Sequence, residues 1–453
     1  MSNILANNPI TRFFSTVVGP AAVMAAGMIG AGCVSTRLLA GTWFSFDLLW
    51  VALYVIPMVI FANDSSSRIG VMSGNRGMFA MIKTDLWPVL AWFVFIPQLL
   101  LNILVINVSQ VSVMTEAVYG LFGINLPATG AATPGRIITA VVLVALVLIS
   151  SITGGFKRLQ KVMTWLLMLI LLCFLIVAIK GLFQPQTWIG LVKGLIPKIP
   201  EDIQVVNSTA VRSGFMQLMA IAGQALPAAV FLSFGYFTSD ADYSEANLKE
   251  NFRKSVINFG YIWGGFSVIV VVAGVTALHN VYDGSGGRIH FSQIASVYDA
   301  GKVIAPALPE ALKHLATPIF SLGLLVAAFT TMISVALIMV YFTLDILDKN
   351  WRFREGNRLF QWTFALYIVL PGLISPFWRL EGLLQAILGM AGNLIMAPIA
   401  LLVLLYFINK KQYMGKYTAR PGRNIVLAIT FLFSLYVVAL GVAKFWSQYF
   451  GGR

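Results

Sequence analysis

Apolar residues along this chain gather into long runs separated by short polar segments. Runs of about 20 residues, the length at which a helix crosses roughly 30 Å of hydrocarbon, occur eleven times in the sequence. They lie at about 14–40, 46–66, 87–118, 136–153, 162–183, 213–238, 256–278, 315–344, 360–377, 382–408 and 425–447. The pattern predicts an all-α polytopic membrane protein with 11 transmembrane helices. Composition agrees: 58% of the residues are hydrophobic and 11% charged, and the mean hydropathy is +0.84, far from the range of soluble domains. The opening MSNILANNPITRFF has neither the charged n-region nor the small-residue cleavage site of a signal peptide, so the first run is expected to be retained.

Charge then sets orientation. The net charge is +14, and with the N-terminus cytoplasmic the inner segments hold 19 of the 31 Lys and Arg residues, from Arg12 to Arg423. The positive-inside rule therefore predicts a cytoplasmic N-terminus and, with an odd number of spans, an external C-terminus. The same bias explains the net charge without nucleic acid, which is not an expected partner. The compact chain reads as a bacterial inner (plasma) membrane protein, and the sequon at Asn207 is expected to be silent. The longest outer connections, about 184–212 and 279–314, have room for short helices or a lid.

Two spans are interrupted. Span 1 carries GMIGAGC, with Gly27, Gly30, Gly32 and Cys33, and span 6 reads SGFMQLMAIAGQALPAAVFLSFGYF, with Gly223, Gln224 and Pro227 at its middle. Gly/Pro breaks at corresponding places in two five-span halves point to an inverted-repeat transporter with its site at the membrane midplane. Unwound backbone at that depth must face a cavity or a ligand. The alternative is that such glycines simply let helices pack closely, the reading preferred for Gly19 and Gly41.

These stretches resemble the Nramp metal-ion transporters, and the similarity runs along nearly the whole chain. GPAAVMAAGMIGAGCVSTRLLAG is similar to the family's first span, SRIGVMSGNRGMFA to the segment after span 2, and LFGINLP and GGFKRLQKVMTW to two further hallmarks. PIFSLGLLVAAFTTMISVALI resembles the eighth span. The resemblance implies a LeuT-type (APC superfamily) fold, an inverted 5+5 repeat with broken spans 1 and 6 and one extra helix. In this chain that divides into 1–183 (spans 1–5), 184–212 (an outer connecting loop), 213–408 (spans 6–10), and 409–453 (a cytoplasmic loop and span 11).

The departures bear on the cargo. Where the family has Asp-Pro-Gly-Asn, this sequence has Gly30, Ala31, Gly32 and Cys33; beside Pro227, the family's Met and His are Leu226 and Ala228. Asn107 and Gln110 stand where the resemblance implies an Asp and a Glu linked to proton movement, and Gln160 replaces a Glu. A tenth-span glutamine is matched by Gln385. A dehydrated divalent cation wants several ligands, normally including carboxylates. A lone buried cysteine is more often an inert small hydrophobe than a ligand, so Cys33 is the sole weak candidate and no metal set is assigned.

The leading expectation is a secondary transporter working by alternating access on a small organic solute, such as an amino acid or small acid. Its carboxylate would meet the amides near Ser35 at the start of the half-helix. The glycine segment is similar to the first-span loop of amino-acid transporters of the APC superfamily. Gln224, Asn107 and Gln110 would add neutral hydrogen bonds, and Ala225, Ala228 and Ala229 would leave volume. Asn107 and Gln110 can equally be interhelical glue. The alternatives are a divalent metal cation (Mn/Fe/Mg-type) transporter, its ion partly hydrated and held by Cys33, Gln385 and backbone, and a non-transporting sensor. Asp64 and Glu116 are candidate vestibule groups near the interfaces, and His279, His290 and His314 are too scattered for a metal triad. Neither a cofactor nor an enzymatic activity is expected, since the chain lacks nucleophile-elbow, P-loop and dinucleotide motifs. Cys33 and Cys173, both in apolar runs, exclude a disulfide framework. The oligomeric state is left open, a monomer being sufficient.

Overall fold

The structure is a computed structural model that describes residues 17–124, 132–152, 155–279, 290–294, 296–304, 310–354, 356–378 and 380–449. Arg12, positions 125–127 of LFGINLP, Gly154 and the side chain of Gln160 lie outside the described residues.

Every predicted span is a helix. Among the described residues ten helices are long and apolar enough to cross a membrane, and an eleventh span is a bent pair, Pro20–Met28 (1a) and Ala31–Phe44 (1b), angled by 48°. The others are Leu49–Met72 (span 2), Pro88–Leu121 (3), Pro134–Ser151 (4), Lys161–Ile179 (5), Gly214–Asp240 (6), Glu245–His279 (7), Lys313–Ile346 (8), Arg358–Phe377 (9), Gly382–Asn409 (10) and Pro421–Lys444 (11). The chain is an integral membrane protein. The connection after span 5 forms a helix, Pro185–Lys193, and a two-stranded antiparallel hairpin pairing Ile203 with Arg212.

Layering follows from burial. Spans 6 and 8 are 94% and 83% buried over their apolar windows, whereas spans 4 and 11 are only 33% and 22% buried and turn apolar side chains to lipid. Small residues set the closest crossings. A Cβ on Gly41 would sit 2.5 Å from the Val271 carbonyl oxygen, and one on Gly274 2.3 Å from that of Leu38, so spans 1b and 7 touch backbone to backbone. Gly41 is therefore a packing glycine.

Span 6 divides at Leu226–Pro227 into 6a (Gly214–Ala225) and 6b (Ala228–Asp240), as the sequence pattern predicts. Pro227 has no N–H to continue the ladder, and its φ of −74° suits the residue before a new first turn. Span 3 runs unbroken but contains a π-helical stretch, Leu101–Asn107, which changes the face its side chains present.

The end of the bundle carrying the 2–3, 6–7, 8–9 and 10–11 connections is stitched by tyrosine–carboxylate pairs. Tyr236 donates to Asp345 and Tyr341 to Asp240, each at 2.6 Å, tying span 6b to span 8. Beside them, the helix Met78–Asp85 is anchored through Asp85, which receives hydrogen bonds from Lys410 (2.7 Å), Thr84 (2.6 Å) and Tyr413. Burial alone would raise the Asp85 pKa, but the bonds from Lys410, Thr84 and Tyr413 outweigh it and hold the group down to about 2, against an ordinary 3.8. A depressed carboxylate pKa contributes stability that is fully present above the unfolded value and lost as pH falls through the folded one. Asp85→Asn is thus expected to lower the thermal unfolding midpoint at neutral pH. That difference from the parent protein should shrink between pH 3.8 and about 2 and vanish below it.

Candidate functional site

The break in span 1 raises a bonding problem before it offers a site. Where 1a ends at Met28, its last carbonyls lose their helical donors, and water is scarce at that depth. Side chains of spans 6 and 8 supply the protons. Gln224 Nε2 donates to the Met28 carbonyl at 2.6 Å, Thr331 Oγ1 to Gly27 at 2.6 Å, and Thr330 Oγ1 to Ala26 at 3.0 Å. Ser334 Oγ reaches the Val23 carbonyl at 3.5 Å.

The glycines make these bonds reachable. A Cβ on Gly30 would lie 1.4 Å from Thr331 Oγ1, and one on Gly27 2.3 Å from the Ser334 hydroxyl. On Gly32 it would meet Met390 Cε at 2.4 Å, and on Gly223 the Met390 carbonyl oxygen at 2.0 Å. Glycine at the break is therefore required by the approach of spans 8 and 10.

Between these elements lies a cavity of about 40 Å3. Its wall includes Gly27, Gly30, Gly32, Cys33, Gln224, Pro227 and Ala229 among the residues singled out from sequence. Ala31, Ser35, Ala225, Leu226, Ala228, Asn107, Gln110 and Gln385 are buried but lie off the wall. Ser35 Oγ turns back to the Ala31 carbonyl (2.6 Å) and Thr36 Oγ1 to that of Gly32 (2.8 Å), the self-bonding that helical Ser and Thr favour. Asn107 donates to the Tyr367 carbonyl of span 9 at 3.4 Å, and Gln110 to the Ile106 carbonyl of its own helix at 3.3 Å. Gln385 has neither amide atom bonded.

Sequence reading missed Asn102, Thr331, Ser334, Met390 and Asn393, all on the wall. The usable signal was that an amide inside an apolar span is costly and needs a reason. The Thr330, Thr331 and Ser334 spacing also puts hydroxyls along one side of span 8.

The wall's polarity has a definite sense. The amide nitrogens of Gln224 and Asn102 are committed to carbonyls, Met28 at 2.6 Å and Gln98 at 2.8 Å. Since only the nitrogen can donate to a carbonyl, the amide orientations are fixed. That leaves the Gln224 oxygen buried without a donor among the described residues; the Asn393 oxygen also lacks one, although no bond from its nitrogen fixes that amide. No carboxylate or histidine is on the wall, and no group of three or more His, Cys, Asp or Glu that could hold a metal exists among the described residues. One turn beyond Cys33, the fully buried Arg37 bonds neutral partners among the described residues, Ser267 at 2.7 Å and Thr36 at 3.2 Å, and stacks over Trp263. Glu116 is remote from the break. It accepts the Gly382 N–H at 2.8 Å and faces a separate pocket with Thr115 and Arg136. Asp64 is held by Arg68 and Arg423.

A sequence profile of the family described as natural resistance-associated macrophage protein-like matches residues 21–446. The chain belongs to the Nramp family. This Nramp protein is 26% identical to the divalent metal cation transporter MntH of Brucella suis over 422 residues, 91% of this chain and 84% of that protein. It is 22% identical to the divalent metal cation transporter MntH of Aeromonas hydrophila over 445 residues, 95% of this chain and 98% of that one. Its fold matches a crystal structure of a mutant Eremococcus coleocola manganese transporter with a TM-score of 0.72 at 16% identity, covering 99% and 90% of the two chains. It also matches MhsT in complex with L-phenylalanine (TM-score 0.60, 14% identity, 92% and 98% covered). The LeuT-type architecture is thereby established; at such identities a structural likeness speaks for the fold alone.

The expectation of an organic, carboxylate-bearing cargo is overturned. The relatives of this Nramp protein are named as divalent metal cation transporters. Two of its physical premises fail too. Helix 1b begins at Ala31, so the amides near Ser35 lie a turn inside it, and Ala225 and Ala228 are packed among neighbouring side chains, while Ala229 does line the cavity.

Thr331 tests the bonding scheme at the break. Thr331→Val keeps the shape but leaves the Gly27 carbonyl without a donor, an expected loss of about 1–3 kcal/mol. Thr331→Ser, which retains the hydroxyl, should stay near the parent value, and chemical unfolding in detergent measures both.

Proposed function

We propose that this protein carries a divalent cation across the plasma membrane by alternating access, the ion passing through the cavity at the breaks of spans 1 and 6 with part of its water shell. The observation that carries this reading is the set of amide oxygens left without donors, those of Gln224 and Asn393, beside that of Asn102 on the same wall. A wall on which the amide nitrogens of Gln224 and Asn102 are used, with oxygens left free beside them, favours a positive guest.

The partial hydration follows from charge and size. Neutral oxygens do not offset two positive charges as carboxylates do, and Arg37 adds a further positive charge nearby, so the ion keeps waters that spread its charge. The cavity of about 40 Å3 has room for an ion and two waters, at the roughly 10–15 Å3 each such body needs. An oxygen-dominated, hydrated site fits hard ions of the Mn²⁺ and Mg²⁺ kind. Cys33 and Met390 also line the wall, and we assign them to shaping it.

We further read 1–183 and 213–408 as the inverted repeats that move against each other, with a cytoplasmic N-terminus and an external C-terminus. The distribution of Lys and Arg supports that orientation.

Uptake of Mn²⁺ and of Mg²⁺ into proteoliposomes tests the proposal. Saturable uptake of at least one is expected, reduced roughly tenfold or more by Asn393→Leu or Asn102→Leu and little changed by Cys33→Ala. Absence of divalent uptake, or uptake indifferent to both asparagine variants, would overturn it.

A further inference from the structure

Away from the cavity, spans 2 and 11 lie side by side at the edge of the bundle. At the end that carries the 10–11 connection they open into a cleft of about 650 Å3, whose wall includes Phe61, Arg68, Lys416, Arg420 and Arg423. Two of the four cations share one carboxylate: Arg68 and Arg423 bond Asp64 at 2.7 and 2.6 Å. Lys416 meets Glu245 at 2.8 Å. Arg420 is exposed, and its guanidinium makes no hydrogen bond or ion pair to a described residue. Four cations thus face two carboxylates, an excess of two positive charges. Gly422, in the first turn of span 11, also lines the cleft, so the positive end of that helix's dipole lies there.

The same two helices carry a second feature deeper in the membrane. Leu53, Tyr54, Pro57 and Met58 of span 2 and Val426 and Ile429 of span 11 line an apolar groove of about 370 Å3. Met58 lies three residues from Phe61 and Val426 three from Arg423, so on each helix about 4.5 Å of rise separates groove from cleft. Tyr54 and Ile429 are 47% and 51% exposed, which opens the groove to lipid.

A basic cleft at the level where spans end, continued by an apolar groove toward the bilayer interior, has the polarity of one class of ligand. We propose that it binds a glycerophospholipid with an anionic headgroup, its phosphate among Lys416, Arg420 and Arg423 and an acyl chain along Pro57, Met58, Val426 and Ile429. A free phosphate would use the cleft and leave the groove; a zwitterionic lipid would use the groove and leave the excess charge uncompensated. Basic pockets between membrane helices recognise anionic headgroups by this combination.

Native mass spectrometry of the purified protein, titrated with phosphatidylglycerol, phosphatidylcholine or inorganic phosphate, tests the site. Phosphatidylglycerol is expected to be retained in preference to phosphatidylcholine. Replacing Arg420 and Lys416 together by Gln should weaken it roughly thirtyfold, about fivefold per cation, with phosphatidylcholine unaffected. Val426→Trp, which fills the groove, should weaken phosphatidylglycerol as well. Arg420→Gln alone removes an exposed side chain without a protein partner, so it serves as the variant expected to fold, its thermal midpoint in detergent confirming that. Equal retention of the two lipids, unchanged phosphatidylglycerol binding in Arg420→Gln, or displacement of the lipid by inorganic phosphate would each overturn the proposal.

Discussion

Inside a bilayer, a helix cannot simply stop. The carbonyls of Ala26, Gly27 and Met28 at the end of span 1a must find donors, and the arrangement around them follows from that need. Thr330 and Thr331 come from span 8 and Gln224 from span 6a. For the threonines to reach, span 8 must lie against span 1, which is why side chains are missing at Gly27 and Gly30; Gly32 and Gly223 in turn admit Met390 of span 10. The bend of 48° and the cavity beside it are consequences of this one solution.

The same solution sets the electrostatics of the cavity. Gln224 gives its nitrogen to the backbone and keeps its oxygen, so a residue recruited to hold the break leaves an acceptor at the wall. Carboxylates at such a site would bind a bare dication tightly and release it slowly. Neutral oxygens, with the buried Arg37 nearby, suit an ion that keeps water and leaves easily. The scaffold is that of the Nramp family, while Gly30, Cys33, Leu226 and Ala228 stand at the positions where the resemblance implies Asp, Asn, Met and His.

Span number and the two breaks were legible because they depend on patterns the sequence displays directly: apolar length, and Gly or Pro where a helix must yield. The wall of the cavity was less so. Asn107 drew attention and Asn102 did not, yet the π-helical stretch Leu101–Asn107 shifts the register between them and leaves Asn102 on the wall with Asn107 bonded to span 9. The amides near Ser35 read as anion donors at a helix start, but helix 1b begins at Ala31, which places them a turn inside it. Of the alanines beside Pro227, Ala225 and Ala228 admit packed neighbours, as small side chains in a bundle often do, and Ala229 lines the cavity. The cargo was not legible because the sequence shows which carboxylates are absent and not what replaces them; the relatives, named as divalent metal cation transporters, overturn the organic solute.

The most direct measurement is anomalous X-ray scattering from crystals of the protein grown with Mn²⁺. A peak is expected in the cavity near the oxygens of Asn102, Gln224 and Asn393, at separations longer than direct metal–oxygen bonds for at least some of them. Peaks confined to surface carboxylates, with the cavity empty at saturating Mn²⁺, would contradict a cation site at the break in span 1.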